Sequence, residues 1–163
     1  MDGAMTVDCK ARRAAAQLFR NFISGRITND EFEGRRPATG DRAIHAIWDT
    51  AWCLYSDTHE HRLVGNYRLT YDIKRSCVRW LLFLHGNLDY CWPDIRLPGI
   101  DPTPRIRDGF HLWLRTPKSS ALCRDEAEHF LETGNYAVWP FVSVKDYKRA
   151  LRNPKLLSGT GSL

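Results

Sequence analysis

His59, Glu60 and His61, with Asp57 just before them and Cys53 one helical turn earlier, come nearest to a metal-ligand pattern in this chain. On an extended segment, side chains two apart point the same way, so His59 and His61 could share a zinc ion. A tight site needs three or four ligands, with partners that orient the imidazoles, and the sequence supplies no convincing third. The expectation is therefore a polar loop with solvated histidines, no assigned cofactor, and His59 and His61 as the metal candidates.

Other catalytic patterns are missing. There is no GxSxG elbow, no GxxxxGK[ST] phosphate loop, no HExxH and no GxGxxG after a strand. Cys91 or Cys123 could meet His85, His111 or His129 in space, but nothing in the spacing selects such a pair. Asp89, Asp94, Asp101 and Asp108 lie near turn residues, where carboxylates commonly bond to backbone. No residue is assigned a catalytic role, and the chain reads as a noncatalytic protein sooner than as an enzyme.

Charge and exposed apolar groups then carry the functional reading. The net charge is +5, and from Ser143 onward Lys145, Lys148, Arg149, Arg152 and Lys155 face only Asp146. Such a segment is a solvated helix face or a docking surface for an acidic partner. Arg12, Arg13 and Arg20, if they share a face with those residues, would instead suit nucleic-acid phosphates. No zinc finger, recognition-helix turn or RNP-type pattern accompanies them. Tyr90, Trp92, Ile95, Leu97 and Ile100 border a Pro-rich stretch and are either partner anchors or a loop folded over the core.

These groups must be positioned by helices, whose ends are well marked. Asp8 caps a helix running to Ser24, with Ala11, Ala15, Leu18 and Phe22 at helical spacing and Gly25 as a left-handed stop. Arg12, Arg13 and Arg20 lie between those positions. Thr28 and Glu31 form a capping box, and Ile27 and Phe32 a hydrophobic staple, for a short helix ended by Gly34 and Pro37. Asp41 opens a helix whose stripe is Ile44, Ile47, Trp48, Ala51 and Tyr55.

A central helix spans Thr70 to His85, with Ile73, Cys77, Trp80, Leu81 and Leu84 on its apolar side, Val78 and Phe83 widening it, and Gly86 stopping it. Pro93, Pro98, Gly99, Pro102 and Pro104 then exclude regular helix. Phe110 to Arg115 alternates like a half-buried strand. A fifth helix covers Leu122 to Thr133, closed by Gly134; Tyr136 to Phe141 reads as extended and broken by Pro140. Ser143 and Asp146, stapled by Val142 and Tyr147, start a last helix that ends before Pro154.

At 163 residues the chain fits one domain, mainly α, of five to six helices with a small extended element; 1–7 and 157–163 are expected to fray. Five widely spaced cysteines without a CxxC pair, and no signal-peptide pattern, favour a reducing cytoplasmic setting. No apolar run reaches the roughly 18 residues that span a bilayer. Phe22 to Glu33, FISGRITNDEFE, resembles the capped helix-turn-helix of short bacterial SHOCT-like modules. With YSDTHEHRL and LLFLHGNLDYCWP, the first half resembles uncharacterised bacterial proteins of similar length, which implies a bacterial setting and lends no known activity to any residue. The expected function is protein binding, with immunity or antitoxin-type inhibitors as the subclass. The alternatives are nucleic-acid binding and a metal-dependent enzyme using His59 and His61.

Overall fold

Five of the helices begin where a short polar side chain takes up backbone N–H groups that helix geometry leaves without partners. The computed structural model describes residues 7–95, 98–99, 128–152 and 154. The Asp8 carboxylate accepts from Ala11 N at 2.9 Å to start α1 (Cys9–Ile23). Both halves of the Thr28–Glu31 capping box are formed at the head of α2 (Asn29–Gly34). Asp41 caps α3 (Arg42–Ala51) through Ala43 N, and Thr70 caps α4 (Tyr71–Leu84) through Ile73 N. Residues 128–133 are helical and belong to α5. Ser143 Oγ accepts from Asp146 N at 3.1 Å and donates to the Asp146 carboxylate at 2.7 Å, opening α6 (Val144–Arg152).

The exit from α1 is equally local in origin. Gly25 has φ +71°, its N–H donates to Phe22 O, and Arg26 N donates to Asn21 O, the paired bonds of a Schellman stop. Gly86 ends α4 differently: His85 is the capping residue, Gly86 N donates to Phe83 O, and Gly86 has no left-handed φ.

The chain is mainly helical, and among the described residues it has six helices, three short 3₁₀ turns and no strand. α4 packs against α1, α3 and α6, while α2 packs on α1. Burial along α4 is confined to its second half, from Cys77 to Leu84; Tyr71, Ile73 and Val78 are exposed, unlike the expectation for Ile73 and Val78. Aromatic rings fill the space between helices. Phe32 stacks on Phe22 and on Trp48, each at 4.4 Å between centroids, and Phe19 stacks on Trp80 at 5.8 Å. Trp48 and Trp80 are 6% and 4% exposed, so both indoles are interior packing.

Tyr136 to Phe141 is not extended. Asn135 accepts from Ala137 N and starts a 3₁₀ turn at Tyr136–Val138; the Trp139–Pro140 bond is cis, and Trp139 and Phe141 are buried. The expected strand at Phe110 to Arg115, the onset of α5 at Leu122, most of the Pro-rich stretch with Leu97, and the ends 1–6 and 157–163 lie outside the described residues.

Candidate functional site

The histidine pair sits in the connection between α3 and α4, and the start of α2 holds it there. His61 N donates to Asn29 Oδ1 at 2.7 Å, Asn29 N donates to His61 O at 3.0 Å, and the Asn29 amide donates to Ser56 O and His59 O. Asn29 is fully buried, so this side chain replaces solvent for a loop that could not otherwise satisfy its backbone. Thr28 Oγ1 adds a bond to Glu60 at 2.7 Å.

The imidazoles themselves are engaged with organic partners. His59 Nε2 is 2.7 Å from the Tyr67 hydroxyl and its Nδ1 is 3.0 Å from Thr58 Oγ1, which uses both ring nitrogens. His61 Nδ1 donates to His59 O at 3.0 Å, and its ring packs on Tyr67 with centroids 4.2 Å apart. His61 is buried where a solvated side chain is expected. Among the described residues no group of three or more His, Cys, Asp or Glu is arranged to hold a metal ion. Through Tyr67, Thr58 and Asn29, His59 and His61 tie this loop together, and His61 Nε2 is buried with no hydrogen-bond partner among the described residues.

Tyr90 and Trp92, which the sequence left as either partner anchors or part of a loop folded over the core, belong to the core, and this corrects the anchor reading. Trp92 Nε1 donates to Pro140 O at 2.9 Å, Trp139 Nε1 donates to the Tyr90 hydroxyl at 3.2 Å, and Trp92 packs on Phe130 at 4.4 Å. Burial raises the phenol pKa of Tyr90. Their indole and phenol groups fix the bend at Trp139–Pro140, which orients the entry to α6. Ile95 is half-buried against the same core. Gly99 comes so close to α3 that a Cβ would lie 2.3 Å from Thr50 Cγ2; its N–H donates to Thr50 Oγ1 and its carbonyl accepts from the Tyr136 hydroxyl. The described part of the Pro-rich stretch is thus folded onto the protein.

Arg12 is lost to any phosphate contact. It is 1% exposed; Nε and Nη2 reach the two Asp41 oxygens at 2.7 and 3.1 Å, and Nη1 donates to Leu88 O at 2.7 Å. Its guanidinium also lies 5.2 Å from the Phe83 ring centroid. One side chain therefore links α1, the cap of α3 and the chain after α4. Spacing hid this, because Arg12 stands among apolar stripe residues and Asp41 reads only as a cap.

What remains outward-facing is the far side of α6. Lys145, Lys148, Arg149 and Arg152 are exposed together with Val144 and Leu151, and among the described residues the one ion pair these basic groups make is Arg149 with Asp146 at 3.5 Å. Tyr147 and Ala150 pack inward on the core, which forces the basic positions out. Arg13, exposed on α1, lines the same cleft as Arg149. Cys91, for its part, donates to Asp89 O at 3.6 Å and is exposed, while Cys123 and His111 lie outside the described residues.

Comparison with protein-family models, curated proteins and solved structures finds no match to this chain. No helix among the described residues is long and apolar enough to cross a membrane.

Proposed function

We propose that this chain is a noncatalytic protein-binding module that docks an acidic partner through the outer face of α6. The observation that carries the reading is the makeup of that face: Val144 and Leu151, both large apolar groups left exposed, framed by Lys145, Lys148, Arg149 and Arg152. A mixed face of this kind can anchor by apolar contact while its charges steer the encounter and select the partner. An immunity or antitoxin-type inhibitor in a bacterial cytoplasm fits the size, the single domain and the short SHOCT-like stretch. A nuclease inhibitor fits less well, because a nuclease presents a basic face that a basic inhibitor would repel.

Nucleic-acid binding is the rival, favoured by the placement of Arg13 beside Arg149 but deprived of Arg12. A salt series separates the two. Passage over immobilised DNA and RNA at low salt without retention, with capture of an acidic protein that the Lys145→Glu, Lys148→Glu, Arg152→Glu variant fails to capture, is the expected result. Retention on nucleic acid that falls steeply with added salt and disappears in the same variant would replace this reading with the rival one.

A further inference from the structure

A second surface is concave. The first turns of α1, the end of α4 with the residues after it, and the inner edge of α6 enclose a cleft of about 580 Å3, within the range of roughly 300–1,000 Å3 typical of small-molecule sites. Leu88 and Ala150, both partly exposed, give it apolar walls over the buried Leu84 and Phe141. Arg13, Arg149, His85 and Asn87 bring the polar groups.

The charge balance is positive. Among the described residues Asp146 contributes the one carboxylate of the lining, and it is already bonded to the Ser143 hydroxyl at 2.7 Å and shared with Arg149 at 3.5 Å. Among the described residues Arg13 uses its Nε alone, on Cys9 O at 3.3 Å. His85 Nδ1 is buried and has no hydrogen-bond partner among the described residues, which leaves a polar atom beside the cleft whose desolvation nothing yet offsets. Burial first, and the nearby Arg20 charge second, lower the His85 pKa, so the imidazole is neutral near pH 7 and can donate or accept a hydrogen bond.

We propose that this cleft binds a small amphipathic anion, with a carboxylate, sulfonate or phosphate head held by Arg13 and Arg149 and an apolar body against Leu88 and Ala150. This goes beyond the docking face and does not rest on it, although Arg149 borders both surfaces. Guanidinium pairs give such a head charge-assisted, directional bonds that a cationic analogue cannot use.

The test uses the full chain and 8-anilinonaphthalene-1-sulfonate, an aromatic sulfonate that fluoresces on entering an apolar site. The native protein should bind it saturably, and octanoate should displace it at concentrations at least tenfold below those needed for octylammonium. Arg13→Gln with Arg149→Gln should weaken binding about tenfold, whereas Arg62→Gln, on the exposed loop before α4, should leave it within twofold. Both arginines are exposed, so the native unfolding midpoint is expected to persist; if it does not, each single substitution should still weaken binding about threefold. Absence of saturable binding, equal displacement by octylammonium, or single variants that bind like the parent would overturn the proposal.

Discussion

Arg12 shows how one side chain can carry a large share of the architecture. A guanidinium taken out of water is tolerated because Asp41 meets it in a two-pronged pair and a backbone carbonyl takes a third N–H. Arg12→Ala, which strands the Asp41 charge, should cost about 3–5 kcal/mol in urea unfolding, while Arg13→Ala one position on should stay within about 0.5 kcal/mol. His85 sets an acid limb. Its folded pKa lies below the ordinary 6.5, so the unfolded chain binds the proton more readily. The stability it contributes is complete above about pH 6.5 and is lost as pH falls through the folded value. Replacing it by Gln should flatten this part of the melting-temperature profile between pH 7.5 and 5; an unchanged slope would show that the imidazole titrates as it does in the unfolded chain.

Helix ends were legible in the sequence because a cap is written within four residues. Asp8, Thr28 with Glu31, Asp41 and Ser143 with Asp146 all do what their spacing predicts, while Thr70, read as the first helical residue, is the cap of α4. Gly25→Ala tests the best of the stops. It forces a Cβ into left-handed backbone and toward Val64 Cγ1, 2.4 Å away, but Val64 is 52% exposed and can move aside. The backbone strain should therefore decide the loss, about 1–2 kcal/mol by thermal unfolding. Illegible were the contacts that join distant elements. Asn29 clasping His61, Trp92 reaching Pro140 and Arg12 reaching Leu88 are separated by dozens of residues, and no local pattern records them. The same blindness hid the cleft between α1 and α6, whose residues look unrelated until the helices are packed. It also made Tyr90 and Trp92 resemble a contact surface when they are interior.

At the scale of the whole molecule, an aromatic interior built around the second half of α4 leaves chemistry to the periphery. The thiols report this division. Cys77 is buried, and burial pushes its pKa up to about 12, so it should resist iodoacetamide in the native protein while Cys9, Cys53 and Cys91, all exposed, react; tryptic mass spectrometry reads each site. The proposed docking face should be separable from stability in the same way, since none of its residues is buried. The most direct test of partner binding places a photo-crosslinking benzophenone at Leu151 and irradiates the living cells that make the protein. A discrete adduct with one acidic protein, lost when Lys145, Lys148 and Arg152 are reversed to Glu at unchanged melting temperature, is the expected result. Adducts with nucleic acid, or a protein adduct that survives the charge reversal, would contradict docking through α6.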